Sequence, residues 1–196
     1  MSAKKYLVIA SALTLLFPAT LAAQTERQHD AHEHGVSQLK IALDGNLLQF
    51  ELEAPGSDIV GFEHEAENDD QKKSIQSALS MLGDPMKIFD FPTAAGCSVT
   101  ASEAAFETEH EEEHEGEKHD DHDGEEEGHA EFHVSYSLTC TSPQSLANLG
   151  LKFFDLFPEA KELEVEAVSN NGQIALEIMR DEKSIDLSSI VVPITN

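Results

Sequence analysis

Cations are scarce in this chain of 196 residues: 12 Lys and Arg face 38 Asp and Glu, a formal charge of −26 with histidine neutral. So negative a surface excludes non-specific binding to nucleic acid or to an anionic membrane. It concentrates cations, divalent ones most. Methionines number four and are not clustered, which argues against a dedicated copper(I) site. There is no glycine-rich phosphate loop and no nucleophile constellation, so the chain reads as a binder and not as an enzyme. After the amino-terminal segment, no apolar run is long enough to span a membrane.

That first segment reads as a secretory signal. Lys4 and Lys5 form a positive start, Tyr6 to Phe17 an apolar stretch, and Ala19 to Ala23 supply small residues for cleavage before Gln24. The apolar stretch is too short for a membrane anchor, and no cysteine near the cleavage site would take a lipid. The expectation is a signal peptide over 1–23 and one soluble, monomeric domain over 24–196, exported to a periplasm. In that oxidising compartment the two cysteines, Cys97 and Cys140, read as a disulfide; a thiolate metal site is the disfavoured alternative.

Three hairpins are expected. Val36 to Leu43 and Leu47 to Glu53 alternate apolar and polar about Asp44-Gly45-Asn46, with Leu39, Ile41 and Leu43 facing Leu48, Phe50 and Leu52. Leu163 to Val168 and Ile174 to Met179 flank Asn170-Asn171-Gly172 in the same way. Cys97 to Ala105 and Glu131 to Cys140 form the third, with Cys97 opposite Cys140 and Phe106 opposite Glu131. Its core face would be Phe132, Val134, Tyr136, Leu138 and Cys140, leaving His129, Glu131 and His133 outward. Asp69 to Leu82 has helical spacing, a cap at Asn68 or Asp69, and a stop at Gly83 and Pro85. Ser142 to Phe157 is ambiguous: Pro143 can start a short helix, and Phe153, Phe154 and Phe157 read as core. The fold class is α+β: a mainly antiparallel sheet of three hairpins, one or two helices packed on it, and a long disordered loop rich in histidine and acid.

That loop, 107–128, is the most informative segment. From Glu107 to His129 the chain holds thirteen carboxylates, one lysine and five of the ten histidines. It cannot bury enough apolar surface to fold alone, but His110, His114, His119 and His122 offer imidazoles among carboxylates to a borderline metal such as zinc. His110 to His114 matches the H-E-x-x-H pattern of zinc peptidases. That motif works on a rigid packed helix, and here the flanks have no apolar face, so the match follows from composition.

Other histidines cluster by topology. His29, His32 and His34 crowd the start of the mature chain. The first hairpin puts His34 beside Pro55, and Gly61-Phe62-Glu63-His64 leaves from that same end, so His64 can return to His32 and His34. His129 can join an ordered site or belong to the loop. His133 reads as a surface residue, since strand residues four apart lie roughly 13 Å from each other and cannot share one ion with His129.

These motifs together resemble the ZrgA family of zinc-regulated periplasmic proteins. The resemblance covers nearly all the mature chain and rests on His32-Glu33-His34-Gly35, Gly61-Phe62-Glu63-His64, His129-Ala130-Glu131-Phe132 with Tyr136 and Cys140, Leu156-Phe157-Pro158 and Gly172-Gln173, with a histidine-rich acidic insertion in the family's place. It implies a soluble periplasmic zinc-binding protein, made under zinc scarcity and linked to components of an ABC-type zinc importer. The expected cargo is Zn²⁺. His32, His34, His64 and His129 are the candidate ordered ligands, with Glu63 or a water as substitute, and the loop histidines would be weaker and exchanging. Two other readings stay open: a β-rich adaptor docking on a transporter or receptor with structural zinc, and a general buffer for nickel or copper.

Overall fold

A computed structural model describes residues 34–108 and 129–191. All of them belong to one unit, Ala31–Asn196; the other, Met1–Asp30, lies outside the described residues. The signal segment, His32, His110, His114, His119 and His122 therefore also lie outside.

The strand pattern builds a six-stranded sheet. β1 (Val36–Asp44) and β2 (Leu47–Pro55) pair antiparallel with Leu39 opposite Leu52, Ile41 opposite Phe50 and Leu43 opposite Leu48. Gly45 turns the hairpin at φ 56°, a left-handed conformation that glycine adopts without steric cost. β7 (Glu162–Ser169) and β8 (Gly172–Met179) make the carboxy-terminal hairpin, and β4 (Cys97–Thr108) and β5 (Ala130–Cys140) the long one. The sheet order is β4-β5-β2-β1-β7-β8. The three hairpins are thus joined by an antiparallel β2–β5 pair and a parallel β1–β7 pair. The parallel pair makes the sheet mixed, a long-range feature that local alternation cannot encode.

The face of Leu39, Ile41, Leu48, Phe50, Leu52, Phe132, Val134, Tyr136 and Leu138 is buried. It is covered in part by α2 (Asp69–Leu82), which follows the short α1 (Gly56–Ile59). Asn68 caps α2 by accepting from the Asp70 and Gln71 amides, and Ala78 and Leu82 enter the core. The buried Tyr136 hydroxyl donates to the Leu82 carbonyl at the helix end. Burial, with Asp84 adding, pushes its phenol above the ordinary range. A second sheet of β3 (Phe89–Asp90), β6 (Asn148–Leu151) and β9 (Ser184–Asp186), in the order β3-β6-β9, supplies Phe89, Leu149, Leu151 and Ile185 to the same core. Strands of two to four residues carry too little alternation to be read from sequence. The same holds for α1, α3 (Pro85–Ile88) and α5 (Ser188–Val191).

The ambiguous stretch resolves into a 3-10 turn at Pro143–Leu146, then β6, then α4 (Phe153–Leu156). Phe153, Phe154 and Phe157 are core, as their clustering predicts.

Cys97 and Cys140 are bonded and directly opposed in register. They stand 43 positions apart in sequence, and closing that loop stabilises the fold by about 4 kcal/mol in the chain-entropy model. Three sequence expectations for this hairpin need correction. The register shifts between Val99 and Ala101, so Phe106 opposes Phe132 and not Glu131; a bulge in the edge strand inserts one unpaired residue. β4 also runs through Glu107 and Thr108, which makes the strand longer than its apolar pattern suggests. Glu131, expected outward, is only 5% exposed.

Candidate metal site

The amino end of β1, the exit of β2 and the start of β5 meet at one end of the large sheet. Gly35 is the node. Its amide donates to Asp58 Oδ1 at 2.8 Å, and its carbonyl accepts from the Lys161 and Glu162 amides, both at 2.9 Å. Its φ of 96° and the Lys161 side chain, 2.9 Å from where a Cβ would stand, leave room for glycine alone. His34, one residue earlier, is thereby fixed to β7 and to α1.

α1 carries the anchors. Asp58 is 2% exposed and also accepts from Ser37 Oγ at 3.1 Å. Burial raises its carboxyl above the ordinary range, against the bonds from Gly35, Ser37 and Ser57, and the nearby Glu63 charge adds to the rise. Ser57 Oγ donates to Glu63 Oε1 at 2.5 Å and lies 3.4 Å from Asp58 Oδ1. Gly61, at φ 85°, reverses the chain after α1, and its amide reaches the carbonyls of Gly56 and Ser57. That reversal brings Glu63 back over the sheet end.

Glu63 is the centre of the cluster. Its Oε2 is 2.9 Å from His34 Nε2 and 3.9 Å from His129 Nδ1. Burial works to raise its carboxyl, but the bonds from Ser57 and His34 and the His34 charge outweigh it, and Glu63 sits below the ordinary range. Four zinc donors at 2.0–2.1 Å in a tetrahedron lie about 3.3 Å apart. The two separations around Glu63 Oε2 bracket that edge length. As placed, no group of three or more His, Cys, Asp or Glu among the described residues could hold a metal ion.

His64 stands slightly apart. Its Nδ1 is 2.7 Å from the Glu65 carbonyl, and its ring lies 5.0 Å from that of Phe62. With Nδ1–H donating to the carbonyl, Nε2 is the nitrogen that a metal can take. The structure therefore brings His34, Glu63 and His129 together and leaves His64 on the same segment, oriented by its own backbone. Sequence reasoning missed the supporting layer of Ser57, Asp58 and Gly35. The one signal was a carboxylate, Asp58, inside the otherwise uncharged stretch Ala54 to Val60.

The described domain is β-rich, is held by a disulfide and an apolar core, and sets two imidazoles beside a half-buried carboxylate at one end of the large sheet. The family model described as "ZrgA family zinc uptake protein" matches residues 31–187, and the chain belongs to that family. It is thereby a zinc uptake protein and not a member of a known enzyme family. No curated protein matches the chain. No described helix is long and apolar enough to cross a membrane.

Proposed function

We propose that this chain, after loss of residues 1–23, acts in the periplasm as a single soluble domain that captures Zn²⁺ and presents or buffers it for an ABC-type importer. The ordered site is His34, Glu63 and His129, completed by His64, His32 or a water. His110, His114, His119 and His122 form a weaker, exchanging reservoir that feeds it through effective concentration. The observation that carries this reading is one carboxylate, Glu63, held ionised by Ser57 and His34 and lying close to imidazoles from distant parts of the chain. A donor set of imidazole and carboxylate suits a borderline divalent ion.

Calorimetric titration tests it. Deleting 109–128 is expected to lower the zinc stoichiometry and leave one tighter site; no site after the deletion refutes the ordered ligand set. The disulfide and the apolar core favour zinc as cargo over zinc as a staple, so a chelator is expected to leave the circular dichroism spectrum and the melting temperature of the purified protein near their starting values.

A further inference from the structure

Three consecutive residues of α1 each hold a different part of the candidate site. Gly56 lies too close for a Cβ to the carbonyls of Phe62 and Ala130, the neighbours of Glu63 and His129. Asp58, out of water, takes the amide of Gly35, the neighbour of His34. Ser57, between them, reaches Glu63 itself. The two oxygens of that carboxylate are thereby told apart: Oε1 accepts from the Ser57 hydroxyl at 2.5 Å, while Oε2 faces both imidazoles, 2.9 Å from His34 Nε2 and 3.9 Å from His129 Nδ1. A serine hydroxyl has one hydrogen to give. Asp58 Oδ1, at 3.4 Å, is the more distant acceptor, and Asp58 already takes the Gly35 amide and the Ser37 hydroxyl. The hydrogen therefore goes to Glu63. Glu63 stands on a stretch that is neither helix nor strand, where backbone regularity does nothing to fix a long side chain. A glutamate left loose there loses rotamer freedom on taking an ion; one already bonded has lost it beforehand.

We propose that Ser57 is the positioning residue of zinc capture: it occupies Oε1, fixes the Glu63 side chain and presents Oε2 alone to the ion, so that Glu63 acts as a one-oxygen ligand. A hydrogen bond to a ligating carboxylate is the usual outer layer of a metal site and sets the orientation of the ligand. One oxygen from one carboxylate suits a four-coordinate ion whose other donors are imidazoles. The placement of Ser57 follows from its neighbours. Asp58 ties α1 to the start of β1, and Gly56 lets α1 approach β5, so the hydroxyl stands on an element held to the segments of both imidazoles. The inference rests on the zinc-capture reading and on Glu63 as a ligand.

The test is a double-mutant cycle on the full mature chain, titrated with Zn²⁺ alone and followed at the His34 ring by residue-resolved NMR. Its members are the natural sequence, Ser57→Ala, Glu63→Gln and the two changes together, with Ser57→Thr beside them. Ser57→Ala is expected to weaken zinc at His34 by at least about tenfold, the scale for losing an outer-shell partner. In the Glu63→Gln background the same change is expected to have little further effect, because Ser57 acts through that carboxylate. Ser57→Thr keeps the hydroxyl and is expected to bind zinc as the natural chain does. An equal loss from Ser57→Ala in both backgrounds overturns the inference, since a serine that only props the fold would give it. So does an unchanged affinity in Ser57→Ala, or a Ser57→Thr as weak as Ser57→Ala. If Glu63→Gln weakens zinc and Ser57→Ala does not, the inference alone falls. If Glu63→Gln leaves His34 unaffected, or His34 does not respond to zinc in the natural chain, the ordered site falls and the inference with it.

Discussion

Glu63 keeps its charge in a half-buried position because Ser57 and His34 both donate to it. A carboxylate held that way can bind metal without first losing a proton at neutral pH. Glu63→Gln keeps the shape and an acceptor oxygen but removes the charge. Zinc affinity at the ordered site is expected to fall at least about tenfold in calorimetry. His133 makes the complementary case in the metal-free protein. Its pKa is raised in the folded state, so the stability it contributes is fully present below the unfolded imidazole value and is lost as pH rises through the folded value. The melting temperature of the natural chain is expected to exceed that of His133→Gln most below about pH 6, with the gap closing as pH rises beyond the ordinary imidazole value near 6.5. Among single residues, the closeness of His34, Glu63 and His129 was legible in part because the histidines stand in short motifs and the first hairpin returns the chain to one end. Asp58 and Ser57 were not. Their roles depend on hydrogen bonds to residues 6 to 23 positions away, which no local pattern records.

At the scale of elements, the site depends on how closely α1 approaches the start of β5. Gly56 makes that approach possible: a Cβ there would stand 2.4 Å from the Phe62 carbonyl oxygen and 2.9 Å from that of Ala130. Both are backbone atoms and cannot rotate away. Gly56→Ala is expected to cost about 1–3 kcal/mol in denaturant unfolding, the usual scale for overpacking, and to weaken zinc binding, because the shift separates the segment of Glu63 from that of His129. The β1–β2 and β7–β8 hairpins and α2 follow directly from alternation, turn residues and caps. In the long hairpin the disulfide fixed only one end of the register. The slip between Val99 and Ala101 reverses the facing of everything beyond it on β4. β4 is mostly exposed, so it has no strict apolar alternation to betray such a slip.

For the whole molecule the dominant quantity is charge. Deleting 109–128 removes twelve carboxylates and one lysine. Electrostatic steering of a divalent ion weakens with salt over a Debye length of about 10 Å at 0.1 M. Stopped-flow association of Zn²⁺ is therefore expected to slow with added salt more steeply for the full chain than for the deletion; equal slopes would remove any steering role from the segment. The parallel neighbour of β1 has a different consequence. β7 lies more than a hundred residues downstream, and a chain made amino end first delivers it late. Until then β1 has a bare edge, and Gly35 lacks the two amides that pin its carbonyl. A molecule without β7 thus already contains the histidines of its first half but lacks the two amides that hold the residue next to His34 at the sheet end.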